Sequence, residues 1–149
     1  MPKLDLLRRP AQKITQDHSP MTGQSLVEFA LLVPILMLSL VGVVDLGRVY
    51  YAYLTVVNAA REGARYGATH PNAGTTAIQN QAKREAQGSG IDPSSLTVRS
   101  VNYPEGCNWG SPIQVTVGYP FRMITSYIFG GTTIQLQSTA EMPILDVCP

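Results

Sequence analysis

The sequence predicts an α+β fold: one long amino-terminal α-helix, transmembrane in its first half, continues into a small domain with a three- or four-stranded antiparallel sheet packed on the helix. Three observations predict it. Residues 29–44 carry no charged side chain. Apolar residues at spacings of three and four continue beyond that run as far as residue 64, the period of a helix with one buried face. After residue 95, short stretches alternate apolar and polar side chains, the period of two that a half-buried strand requires. Four segments follow from this: a leader over residues 1–23, an anchor over 24–45, a helical continuation over 46–68 and a head over 69–149.

The leader holds Lys3, Arg8, Arg9 and Lys13 against Asp5 and Asp17, and a cationic flank of this kind stays on the cytoplasmic side of a membrane. Everything beyond Val44 is then expected on the far side. With Leu26 and Val27 the uncharged run approaches the roughly 20 apolar residues that span hydrocarbon. A secretory leader has a shorter apolar core, about 7 to 15 residues, ahead of a small-residue cleavage site, and no clear Ala-x-Ala signal follows here. One span is all the sequence offers.

Glu28 is the anomaly at the start of this run, because a carboxylate at the bilayer centre costs about 2.5 to 3.5 kcal/mol on insertion scales. By itself it reads as an interfacial residue among headgroups. Pro34 lies inside the span, where it removes a backbone donor and crowds the preceding turn, so a kink or local loosening is expected. Asp45 and Arg48, three apart, read as a solvated ion pair at the membrane edge. Beyond them Leu46, Val49, Tyr50, Tyr53, Val56, Val57, Ala60 and Ala64 define one helix face, of which the part from Tyr50 to Ala64 is expected to cover the sheet. Over residues 24–68 such a helix is about 65 to 70 Å long, twice the hydrocarbon thickness. Ala59, Gly63 and Gly67 recur every four residues and permit close backbone approach, either to the protein's own strands or to another subunit.

Thr69-His70-Pro71-Asn72-Ala73-Gly74 should end the long helix, and a short polar helix is expected over residues 75–86. Gly88-Ser89-Gly90 and Asp92-Pro93-Ser94-Ser95 then turn the chain into the strands. The first, over residues 96–103, changes phase near Ser100, where a bulge would keep Leu96, Val98, Val101 and Tyr103 on one side. Ile113, Val115, Val117 and Tyr119 form one face of the next. Ile134, Leu136, Ala140 and Met142 form one face of the last, opposite Gln135, Gln137, Thr139 and Glu141. The connection between these two strands, residues 120–131, is more apolar than a hairpin needs and reads as core, partner surface or lipid contact.

Cys107 and Cys148, the only two cysteines, fall in the part placed outside the membrane, where disulfides persist. They read as a pair, with two free thiols or intermolecular bridges as alternatives. Charge excludes more than it suggests: beyond residue 23, seven Lys and Arg face eight Asp and Glu, which leaves no footprint for nucleic acid. His18 lies in the leader and His70 beside a turn, neither with an acid at motif spacing. Two cysteines without histidines at ligand spacing do not make a zinc site, and no phosphate loop or nucleophile elbow occurs. No catalytic residue, metal ligand or cofactor is expected.

Gly23, four residues, Glu28, Phe29 and then a purely apolar helix together resemble the processing signal of type IV prepilins. The resemblance implies a membrane aspartyl peptidase that cuts the Gly23-Gln24 bond. It also implies methylation of the new terminus at Gln24, and a Glu28 carboxylate that neutralises a neighbouring subunit's terminal amine as subunits assemble. Gln24-Ser25-Leu26-Val27-Glu28-Phe29-Ala30-Leu31-Leu32-Val33-Pro34 and Asn58-Ala59-Ala60-Arg61-Glu62-Gly63-Ala64-Arg65-Tyr66-Gly67-Ala68 narrow it to the TadE-like family. Val115-Thr116-Val117-Gly118-Tyr119-Pro120-Phe121, Gly130-Gly131 and Ser138-Thr139-Ala140-Glu141-Met142 are similar to that family's terminal strands. The family implies a pilin-like fold and a minor pilin or pseudopilin of a tight-adherence pilus. Its site would be the bacterial inner membrane, with the carboxyl-terminal domain outside the cytoplasm. Its partners would be prepilin peptidase, other pilin-like subunits, the inner-membrane pilus platform and the lipid bilayer. In such pilins Pro34 would help the helix unwind as a subunit leaves the bilayer. An uncut envelope scaffold or adhesin is the alternative reading, and a membrane-tethered enzyme a third that no residue favours.

Overall fold

The structure, a computed structural model, describes residues 21–131 and 133–146; the leader up to residue 20 and Cys148 lie outside the described residues. The chain divides into two compact units between Met37 and Leu38. Helix α1, Met21–Thr69, is a single helix that includes Pro34. Its continuity is consistent with composition: Ala, Leu and Val are the commonest residues between Met21 and Thr69, and Pro34 is the one proline.

In the first unit, the large apolar residues of α1 face outward: Leu26, Phe29, Leu31, Leu32, Ile35 and Met37 are all exposed. In the second unit the rest of the chain folds around the later turns of α1. Helix α2 is Gly74–Glu85, a single 3-10 turn is Pro93–Ser95, and the strands are β1 Thr97–Asn102, β2 Pro112–Arg122 and β3 Thr133–Pro143, with the one-turn helix α3, Ser126–Phe129, between the last two. The sheet has three strands in the order β1-β2-β3, antiparallel throughout. The expected bulge is present: Val98 pairs with Val117 and Ser100 with Thr116, leaving Arg99 as the extra residue. Leu96, Val98, Val101 and Tyr103 consequently all turn toward the core.

The core differs from the sequence expectation in one respect. The buried side of α1 is Ala52, Val56, Ala59, Ala60, Gly63, Ala64, Gly67 and Ala68, whereas Leu46, Tyr50 and Tyr53 are 72%, 65% and 43% exposed. Val56, Ala60 and Ala64 of the expected face are buried and its tyrosines are not, because a stripe without side-chain bulk lets the sheet come closer and removes more surface from water. A β-carbon added to Gly63 would stand 3.3 Å from the Val115 side chain, and one on Gly67 would stand 2.6 Å from Ile113. The small-residue stripe is thus a seam onto the protein's own strands and onto Ile78 of α2.

The connection after β2 is shorter than expected. Pro120 and Arg122 extend β2, opposite Gln135 and Thr133, and Phe121 enters the core. Thr97 of β1 lies opposite Gly118, so beyond that point β2 is flanked by β3 alone, where a residue without an N–H is tolerated. At the other end of the sheet, Leu145 donates its N–H to the Ala68 carbonyl (2.9 Å), giving one of the last carbonyls of α1 a partner.

Candidate functional site

In the first unit the predicted processing and assembly residues lie together on the first turns of α1. Gly23 and Gln24 are exposed, and a side chain at Gly23 would meet nothing within 4 Å. Glu28 and Phe29 follow one turn later, both exposed. The Gln24 side-chain amide donates to Glu28 Oε1 at 3.4 Å, a spacing set by the four-residue period of the helix. Glu28 is the one carboxylate among the described residues of this unit. Pro34 stays inside the helix, in the middle of the exposed apolar run.

In the second unit, Asp45 corrects the sequence reading. The pair with Arg48 exists, at 3.1 Å, but Asp45 is not solvated: it is 3% exposed. Its Oδ1 accepts the N–H of Ile124 at 2.9 Å, and its Oδ2 accepts the N–H of Thr125 at 2.8 Å and the Thr125 hydroxyl at 2.9 Å. Four donors on one carboxylate satisfy a buried charge that would otherwise be costly. They also fasten the turn after β2 to the helix position that directly follows the apolar run. A period-based reading could not find these partners, since they lie 79 and 80 residues away. The available signal was Thr125-Ser126, a pair of residue types that supply turn and cap donors next to an otherwise apolar stretch.

Around this knot the Arg48 guanidinium stands 5.2 Å from the centre of the Phe121 ring, and that of Arg122 stands 5.5 Å from the Tyr127 ring, within cation–π range. Tyr127 and Ile124 face outward. A cleft of about 440 Å³ opens between Val44, Arg48 and Tyr51 of α1 and Tyr119, Phe121 and Arg122 of β2.

Further along α1, Glu62 accepts two hydrogen bonds from Arg65 and one from the Gln81 side chain of α2. The Arg65 hydrogen bonds beside it hold its carboxyl below the usual range, against the opposing effect of partial burial. Asp92 accepts from the Ser94 hydroxyl and N–H and from the Ser95 hydroxyl, and is held low by them in the same way. His70, beside the turn that ends α1, is exposed and stacks on Tyr66 with ring centres 4.6 Å apart. Among the described residues no three His, Cys, Asp or Glu gather as metal ligands.

Cys107 is half-buried at the margin of the core. Its pairing with Cys148 falls on a residue outside those described. The loop that follows Cys107 is nonetheless joined to the end of the chain, through Gly110 N–H to the Ile144 carbonyl and Ile144 N–H to the Ser111 carbonyl, both at 2.9 Å.

These features define a class: a chain with one amino-terminal helix long and apolar enough to cross a membrane, and a small α+β unit with a three-stranded antiparallel sheet. Comparison with known families adds that residues 23–65 match the model of the TadE-like protein family. The match begins at Gly23 and ends at Arg65, so it contains Gly23, Gln24, Glu28 and Phe29 as well as Pro34 and Asp45, and stops short of the strands. No curated protein and no solved structure matches the chain.

Proposed function

We propose that this chain is a membrane-anchored TadE-like minor pilin or pseudopilin, cut after Gly23, that serves in the assembly of a tight-adherence pilus. The observation that carries the reading is one coincidence: the family match begins at Gly23, in the first turn of a helix whose most apolar stretch has no buried residue and whose sole acid before Asp45 is Glu28. An apolar stripe of that length left unburied needs lipid or another apolar helix, since an ordinary soluble surface shows patches of only about 300 to 600 Å².

On this reading the anchor stores the subunit in the inner membrane with residues 1–23 in the cytoplasm and the head outside it. Prepilin peptidase removes the leader, and the Glu28 carboxylate meets a neighbour's new amine, setting the depth at which subunits dock. The head offers its surface to other pilin-like subunits and to the inner-membrane platform. Its work is mechanical, not catalytic, and Cys107 and Cys148 close it with a disulfide, in keeping with the backbone bonds that join their two segments.

Replacing Gly23 by Ala tests the reading. Mass spectrometry of the membrane fraction should show an amino terminus at Gln24 in the parent and an intact leader in the variant, with pili lost. Intact leaders in both, with normal pili, would instead mark an uncut envelope scaffold.

A further inference from the structure

Asp45 does more than stabilise a turn: it fixes where that turn stands along α1. Leu40, Val43 and Val44 are exposed and apolar, and Asp45 is the first charge after them. If Val44 lies at the edge of the hydrocarbon, Arg48 stands about 6 Å further along the helix axis, at headgroup depth. The knot holds Ile124 and Thr125 at the same level, because their N–H groups are bonded to Asp45. The face presented there is suited to a bilayer surface. Ile124 and Tyr127 are 41% and 78% exposed, Arg48 keeps nearly half of its side chain exposed, and Arg122 is exposed. The cleft between the two arginines has the hydroxyl-bearing Tyr51 and Tyr119 in its wall and no carboxylate. Of the acids near it, Asp45 is already engaged by four donors, and Asp92, whose N–H reaches the Tyr119 hydroxyl, has its carboxylate engaged by Ser94 and Ser95.

We propose that this face seats the head on the membrane, with the cleft taking the phosphate headgroup of an anionic phospholipid while Ile124 and Tyr127 enter the interface. Arginine is suited to the role because its planar fork binds phosphate oxygens two at a time. Tyrosine favours the headgroup level, where its ring and hydroxyl find different surroundings. A cleft of this size falls within the range that encloses small ligands. The seat would hold the stored subunit in one orientation until it is withdrawn from the bilayer. The inference rests on the membrane-anchored reading above.

The test uses the full chain, one copy per lipid nanodisc, in phosphatidylcholine alone and in phosphatidylcholine mixed with phosphatidylglycerol. Hydrogen exchange of residues 119–129 is followed, together with the lipid retained on the protein in native mass spectrometry. Phosphatidylglycerol should slow exchange in that segment and remain bound. Arg122→Gln, which leaves the Asp45 knot intact, should weaken the retained lipid about fivefold, as expected for one cation at an anionic surface, and Tyr127→Ser should release the slowed amides. Equal exchange in both lipids, in a chain that stays inserted, would overturn the seat and leave the anchor standing. Slowing that depends on a second copy in the disc, whatever the lipid, would assign the face to subunit contact and overturn the seat as well. A chain that leaves the disc altogether would overturn both readings.

Discussion

Glu62 shows how a single side chain can couple two elements of this small head. Its carboxylate receives Arg65 one turn along α1 and Gln81 from α2, so it fixes the angle at which α2 lies on the long helix. Because the Arg65 hydrogen bonds hold its carboxyl below the usual 4.5, the sign of the pH effect is determined. The folded form binds that proton less readily than the unfolded chain, so the stabilisation is complete above about pH 4.5 and fades as the pH falls through the lower folded value. Arg65 is largely solvent-exposed, and screening limits the effect to about 0.5 kcal/mol. Acid titration of the unfolding midpoint in detergent should therefore show a shallow loss below pH 4.5 that Glu62→Gln removes; an unchanged titration in the variant would mean that the pair adds nothing to stability. The sequence placed Asp45 and Arg48 together by their spacing alone, as it could have placed Glu62 and Arg65. What it could not reach was the burial of Asp45, because that depends on a turn almost eighty residues away and on which way β2 leaves the sheet.

At the scale of elements, the close seam between α1 and the sheet makes two glycines of the same stripe behave differently. Alanine is favoured over glycine inside a helix by about 1 kcal/mol. At Gly63 the added carbon would press on Val115 at 3.3 Å, a contact that a small shift relieves, so Gly63→Ala should be close to neutral. At Gly67 it would lie 2.6 Å from Ile113 and 3.1 Å from Ile78, two fully buried side chains, and overpacking of this kind costs about 1 to 3 kcal/mol. Denaturant unfolding should therefore separate the two variants, with Gly67→Ala the less stable by about 1 kcal/mol or more. The stripe itself was legible in the spacing of Ala59, Gly63 and Gly67. Its dominance over the bulkier face was not, because periodicity counts apolar residues without asking how near a sheet can approach them. The strands were legible almost residue by residue, down to the bulge at Arg99, since phase in a strand is a local property. A similar argument applies to the cysteines: the loop they would close should contribute about 4 kcal/mol. Reduction, or Cys107→Ser, should lower stability by that order, and an unchanged midpoint would show that they are not joined.

For the whole molecule, the decisive question is how a carboxylate at the start of an apolar helix is made useful instead of merely tolerated. Glu28 stands exposed beside Gln24, and within one chain it has little to gain from hydrocarbon. On the proposed function two subunits would change the balance: an amine released at Gln24 by cleavage of one chain and the Glu28 carboxylate of another would each be costly alone and would stabilise one another on meeting. Insertion and assembly should then respond in opposite directions to Glu28→Gln, which keeps the shape and removes the charge. The variant should enter the membrane as well as the parent and be cut at the same bond, because peptidase access depends on Gly23. Removing one partner of a desolvated ion pair should nevertheless depress the assembly equilibrium on the order of 100-fold, leaving trimmed subunits in the membrane and few pili. Counting pili by electron microscopy beside mass spectrometry of the membrane fraction reads both steps in one preparation. Trimmed Glu28→Gln subunits that still build normal pili would make the carboxylate an interfacial bystander, and docking depth would then have to be set by the fit of the apolar helices alone.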